Sequence, residues 1–220
     1  MPDFLLEIGC EEIPARMIVP AESNLYGLIA NFVQRNRLIA GTHWIPDQRV
    51  VAYSSPRRIA MLVKDILQCQ ADISETVLGP PIKVAYKEGI PTAAAEAFTK
   101  KFALSVKELK TVSSEKGDYL GADIVTKGVS AKEIIHKDLY CEIERIYWPK
   151  NMYWRAGAPE RFVRPVRWIV AMLDGEVIPL EFAGVKAGNI SRGHRFFTNE
   201  IKISSPAAYK QELEKARVIV

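Results

Sequence analysis

The residues with the clearest chemical potential lie between Arg145 and Arg195. Three of the four tryptophans fall there (Trp148, Trp154, Trp168), interleaved with Arg145, Lys150, Arg155, Arg161, Arg164 and Arg167. The stretch holds nine Lys/Arg against four Asp/Glu, a local charge of +5 in a chain whose total is +4. The remaining residues therefore sum to −1, and the net positive charge is local. Cationic forks among planar rings suit an extended polyanion with stackable faces, which describes nucleic acid. The same composition also builds ordinary cores and interfaces, where a guanidinium stacks and its stem is buried. Composition alone leaves both readings open.

Two further arginine groups could join that surface. Ser54-Ser55-Pro56-Arg57-Arg58 places two guanidiniums just after a proline-fixed turn, a geometry that can clamp phosphates bidentately. His194 lies between Arg192-Gly193 and Arg195-Phe196, where it can meet a phosphate, a base or a backbone carbonyl. The candidate RNA-contacting residues are therefore Arg57, Arg58, Tyr153, Trp154, Arg155, Arg164, Arg192, His194 and Arg195. Glu7, Glu11 and Glu12 flank a Gly-Cys bend and form a possible carboxylate cluster for acid–base or metal work. Solvated acids at a strand end are the alternative, because carboxylates need a cleft to shift usefully.

Recognisable catalytic templates fail. No G-x-G-x-x-G follows a strand, no G-x-S-x-G or H-E-x-x-H is present, and the prolines of Gly79-Pro80-Pro81 remove the N–H groups that a phosphate loop requires. Cys10, Cys69 and Cys141 are scattered and odd in number, against both a disulfide framework and a zinc site, which implies reduced thiols in a cytosolic protein. MPDFLLEIGCEE lacks a basic leader region, and no apolar run approaches membrane-spanning length. A binding module is favoured over a self-contained catalyst, with no metal or cofactor of its own.

The elements that must position these groups follow from pattern. Phe4–Ile8 is a short buried strand. Leu25, Leu28, Ile29, Phe32 and Val33 have helical spacing, in a helix expected to begin near Pro20 and to end at Gly41. Val50–Ser54 and Ile59–Ile66 read as strands on either side of the arginine turn. The chain must turn at Gly79-Pro80-Pro81. Thr92 is expected to cap an alanine-rich helix, and Lys116-Gly117-Asp118 to close a hairpin between Lys110–Ser114 and Tyr119–Thr126. Ser130-x-x-Glu133 is a capping box opening a helix buried through Ile135, Leu139, Ile143 and Ile146, which Pro149 ends. Asp174-Gly175 joins Arg167–Leu173 to Val177–Phe182, and Ser205-Pro206 opens a last helix through Arg217. The class is α+β with mixed, largely antiparallel sheets and packed helices. A boundary near Gly128 divides residues 1–128 from a basic-aromatic region, 129–220. The close on Val218-Ile219-Val220 suggests the front part of a longer polypeptide.

The stretches DFLLEIGCEEIPA, SSPRRIAMLV, GPPIKVAYKEGIPTAAAEAF, WPKNMYW, and RFVRPVRWIVAMLDGEVIPLEF through SRGHRF resemble, in order and over nearly the whole chain, the beta subunit of bacterial heterotetrameric glycine–tRNA ligase. The resemblance implies a cytoplasmic protein of translation. It implies partnership with an alpha subunit that holds the class II active site and activates glycine with ATP, and with tRNA-Gly. The family's chain is much longer, with HD-type and anticodon-binding regions, so the remainder of the beta chain is a further implied partner. The second half resembles the B3/4 module of phenylalanine–tRNA ligase. In the family PKSMRW is usual where Asn151 and Tyr153 stand here, and TPRR where Ser55 replaces the threonine. No catalytic residue is carried over. The implied role is tRNA recognition and positioning. The alternative is an assembly module anchored by Trp148, Trp154 and Phe162. A hydrolytic editing site around Glu7, Glu11 or His194 lacks a paired nucleophile and base.

Overall fold

The structure is a computed structural model that describes every residue except 41–48, 88–89, 103, 106–107, 115–116 and 198–199. The expected helix end at Gly41 and the turn residue Lys116 lie outside the described residues. The chain divides into two compact units, one made of residues 1–70 together with 129–220, the other of residues 71–128. Gly128 is thus the second edge of an inserted unit, and the first seventy residues pack with the basic-aromatic region. As expected, the architecture is α+β, and the sheets are mostly antiparallel.

The larger unit is built on one sheet. Strand β1 (Phe4–Cys10) lies at its centre, with β2 (Val50–Ser55) and β3 (Arg58–Val63) forming an antiparallel hairpin on one side. All seven residues of β1 are buried, because the sheet is covered on both faces. Alternation separates the two faces. Phe4, Leu6, Ile8 and Cys10 enter a large core with Leu25, Ile29 and Phe32 of helix α1 (Ala15–Arg35). Leu5 enters a second core with Trp168, Met172, Tyr209 and Leu213. Helix α1 starts five residues before Pro20, which therefore lies inside it. Its missing N–H removes one bond in the second turn, and the buried stripe from Met17 to Val33 holds the helix through that defect.

In the inserted unit, β4 (Ile73–Pro81) and β5 (Leu109–Ser114) flank β6 (Gly117–Thr126), and α2 (Ala93–Phe102) supplies Ala95 and Phe98 to a small core. Gly79-Pro80-Pro81 does not end its strand. It continues as an irregular stretch where the register slips between Leu78 and Pro81, on an edge strand that needs no outer partner. Gly79 lies against the Phe98 ring, which would sit 3.0 Å from an added Cβ. Thr92 directly precedes α2, and its hydroxyl donates to the Val84 and Ala85 carbonyls.

The chain returns to the larger unit through α3 (Ala131–Glu144), where Ser130 Oγ accepts from the Glu133 N–H as the capping box predicts. The helix stops at Glu144, before Pro149. Strand β7 (Val166–Leu173) then pairs antiparallel with β1 on the side away from the hairpin. Asp174 adopts a positive φ of 47° in its turn, and Met172 and Leu173 pair back with Val177 and Glu176. Strand β8 (Val185–Gly188) adds in parallel beside β7. A ladder of Ile190–Ser191 with Ile201–Lys202 and helix α4 (Tyr209–Lys215) complete the unit. Among the described residues no helix is long and apolar enough to cross a membrane.

Candidate nucleic-acid interface

The segment after β1 passes between the two arginine loops. Cys10 donates its N–H to the Arg57 carbonyl at 2.9 Å and Ile13 to the Pro56 carbonyl at 2.6 Å. Between them Glu11 donates to the Pro165 carbonyl at 3.1 Å. Backbone hydrogen bonds thus bring SSPRR and RFVRPVR to opposite sides of CEEIP. The β1–β7 register slips where Gly9 faces Trp168 but Cys10 faces Val166, so Arg167 is the extra residue of a bulge. A bulge re-aims side chains, and Arg167 Nε lies 2.7 Å from Glu11 Oε1.

Across three strands the sheet places Trp168, Gly9 and Arg58 side by side. Gly9 has no side chain, and the indole occupies the vacated space; a Cβ on Gly9 would lie 1.9 Å from it. The guanidinium carbons of Arg57, Arg58 and Arg192 lie 5.7, 5.4 and 5.5 Å from the indole centroid. Trp168 Nε1 donates to Glu7 Oε1 at 2.5 Å. Ser191 Oγ donates to the same carboxylate at 2.8 Å, and Arg58 Nη1 reaches it at 3.1 Å. Arg58 Nη2 donates to the Arg192 carbonyl. This carbonyl begins the segment carrying Arg192, His194 and Arg195, whose other fixed point is the bond from the His194 N–H to the Ala216 carbonyl at 3.2 Å.

These pieces line an open cleft of about 360 Å³, formed by Ser55, Arg57 and Arg58 from the turn, by His194, Arg195 and Phe196, and by Arg217, Val218 and Ile219. Glu12 is the acid in its wall, 3.9 Å from Arg195. Glu11 stands beside it, its carboxyl held below the usual range first by the hydrogen bond from Arg167 and further by the charges of Arg167, Arg57 and Arg195. At neutral pH the surroundings are therefore strongly cationic and only partly compensated.

The expected site residues separate into three sets. Arg57, Arg195 and His194 line the cleft, and Arg192 projects from the same segment. Arg58 departs from the expectation of an exposed clamp. Its side chain is 3% exposed and paired with Glu7, so it braces the cleft floor and offers no free fork to a phosphate. Arg164 is partly buried, with its Nε donating to the Glu12 carbonyl at 2.9 Å. The third set lies on the Met152–Tyr153 and Arg161–Phe162 ladder and lines none of the cleft. There Arg161 stacks over Tyr153 at 4.3 Å, Trp154 Nε1 donates to the Phe162 carbonyl, and Arg155 pairs with Glu160 at 3.6 Å.

The proposed interface anchors fare similarly. Trp148 and Phe162 pack edge-to-face at 5.0 Å within the core, which leaves Trp154 as the exposed member of that trio. Glu7 is wholly buried and accepts from Arg58, Trp168 and the Ser191 hydroxyl, itself fully buried and so closed to a substrate, and Glu11 is paired with arginine. Arg217 and the exposed pair Phe196 and Phe197 were not anticipated. Arg217 stacks over Phe197 at 4.4 Å. A motif scan passes over it because an arginine at a helix end normally reads as a dipole partner.

Cys10 lies on the core face of β1. Burial pushes its thiol up to about 12, against the opposing pull of the Arg57 charge. Cys69 and Cys141 are exposed. A thiol reagent at pH 8 should therefore label two cysteines promptly and the third only on unfolding, read by mass after timed quenching. Rapid labelling of all three would contradict this packing.

Comparison with known proteins gives this arginine-walled α+β arrangement a class, that of aminoacyl-tRNA synthetase subunits. The sequence model described as "Glycyl-tRNA synthetase beta subunit" matches residues 4–220. The glycine–tRNA ligase beta subunit of Acidobacterium capsulatum is 50% identical over 220 residues, covering 99% of this chain and 30% of the relative. Those of Myxococcus xanthus and Oceanobacillus iheyensis are each 39% identical, again over 99% of this chain and 30% of theirs. The chain belongs to the glycyl-tRNA synthetase beta-subunit family, and spans about 30% of the length of these relatives.

Proposed function

We propose that this chain is a non-catalytic, tRNA-handling portion of a glycine–tRNA ligase, helping to bind and position tRNA-Gly while an alpha subunit carries out the ATP-dependent glycylation. The observation that carries the proposal is the convergence of Arg57, Arg192, Arg195 and Arg217 around one cleft and its rim, beside an indole that three guanidiniums share. Such a surface holds RNA by phosphate contacts, with the buried indole supporting the guanidiniums. Holding the acceptor end in the partner's site would lower the barrier by orientation, with no group of this chain touching the bond formed.

Four arginines meeting phosphates give log K a slope of about −3 to −4 against log salt. Filter binding of tRNA between 50 and roughly 200 mM salt tests this. Arg195→Glu with Arg217→Glu should flatten the slope and weaken binding at least about tenfold, whereas Arg155→Glu, which lines none of the cleft, should leave both within about twofold. Equal losses from the cleft and ladder variants would remove the cleft from the proposal. Binding without salt dependence would remove the arginine mechanism altogether.

A further inference from the structure

The cleft is lined by apolar and aromatic residues as well as cations, more than a track for backbone charge requires. Its volume of about 360 Å³ falls at the lower end of the range for small-molecule sites, roughly 300–1,000 Å³. Its lining includes three cations, Arg57, Arg195 and Arg217. It also includes Phe196, which is 83% exposed with its ring 6.0 Å from His194, together with Val218 and Ile219. Arg57, on the lining, keeps an Nε–H with no partner. An orphaned buried donor costs about as much as a lost hydrogen bond, and a ligand oxygen would relieve that cost.

We infer that the cleft seats one unpaired nucleotide, its phosphate among Arg57, Arg195 and Arg217 and its base on the face of Phe196. A bare anion would leave Phe196 uncovered. A paired base has both faces occupied in its stack and cannot lie on Phe196. The shared chemistry is a nucleoside monophosphate unit, either at an unpaired position of a bound RNA or as a free mononucleotide. The RNA source rests on the function proposed above; the nucleotide site itself does not.

The test is competition against a fluorescent single-stranded RNA decamer on the 220-residue chain, by anisotropy at fixed salt. The competitors are AMP, adenosine, inorganic phosphate and a blunt duplex of the same sequence. AMP should displace the decamer at a concentration at least tenfold below adenosine or phosphate, and the duplex should bind at least tenfold more weakly than the single strand. Phe196→Ala should weaken the single strand about 5- to 100-fold with an unchanged circular dichroism spectrum. Arg217→Gln should weaken AMP and leave adenosine unaffected. If the duplex binds as well as the single strand and Phe196→Ala is silent, the nucleotide pocket is refuted while the RNA role stands. Phosphate competing as well as AMP would reduce the cleft to an anion site and refute it too. AMP binding measured directly by titration calorimetry and weakened by Phe196→Ala, with no binding of any RNA, supports the pocket and overturns the RNA role.

Discussion

Glu7→Ala should destabilise the larger unit by about 3–5 kcal/mol, the range for removing one partner of a buried ion pair. The carboxylate is wholly buried and accepts from Arg58, Trp168 and Ser191. Its loss would strand the Arg58 charge, whose side chain is 3% exposed, and leave the indole N–H without an acceptor. The penalty arises mainly from the stranded cation, since a buried pair is worth little against a well-packed apolar replacement. The double variant Glu7→Leu with Arg58→Met should therefore recover most of the lost stability. It should not recover RNA affinity, because Arg58 also holds the Arg192 carbonyl at the root of the cationic segment. Urea unfolding followed by tryptophan fluorescence is the measurement. All four tryptophans lie in residues 1–70 and 129–220, so the signal reports that unit alone. A Glu7→Ala cost under about 1 kcal/mol would show that the pair is not energetically coupled. Full recovery of RNA affinity in the double variant would show that it packs the fold without positioning the cleft.

Glu7 is buried by partners remote in the chain, which its neighbours in sequence do not reveal. Local pattern reveals what neighbours in the chain can settle between themselves. The Asp174-Gly175 turn, the Ser130 cap and the Pro56 hairpin all involve partners within a few residues, and all are present. Glu7 looks like one of three acids at a strand end because Glu11 and Glu12 follow closely. Its real partners are Arg58, Trp168 and Ser191, between 51 and 184 residues away. The available signal is subtle: an acid in phase with Leu5, on a strand whose alternate residues are all apolar. The same distance effect hides the insertion of residues 71–128, because β1 pairs with β7 across it and no local pattern announces that ladder. Pro20 misleads for the opposite reason. A proline signals a first turn by propensity, but the apolar stripe of α1 outweighs that signal from both sides. Among the site residues, the PRR and RGHR segments converge because backbone bonds fix the first to the end of β1 and the second to the end of α4, while the Arg58 side chain joins them through the Arg192 carbonyl. In the WPKNMYWR segment, compositionally the most suggestive, Trp148 is in the core, and Tyr153, Trp154 and Arg155 find their partners within eight residues, at Arg161, Phe162 and Glu160. Composition counts cations and aromatics; it does not show which are already partnered.

Gly9→Ala should be nearly as damaging as Glu7→Ala, although it adds only a methyl group. The new Cβ would fall 1.9–2.3 Å from three atoms of the Trp168 indole, far inside contact distance. Neither side can easily yield. The β1 backbone is held between β3 and β7, and the indole is packed with Leu5, Met172 and Tyr209. Overpacking of this kind costs about 1–3 kcal/mol by itself. Moving the ring would also break its bond to Glu7 and pull it from three guanidiniums, adding roughly 1–2 kcal/mol. The expected total is therefore about 2–5 kcal/mol, with a parallel loss of RNA affinity as Arg57 and Arg192 lose their common support. Removing the ring should relieve the clash. In the cycle of Gly9→Ala, Trp168→Leu and their combination, the double variant should cost at least about 1.5 kcal/mol less than the sum of the singles. Costs that simply add would mean that the indole finds another seat when the methyl arrives. The arginines would then be held by their own loops, and the cleft should bind RNA as well in Gly9→Ala as in the unmodified chain.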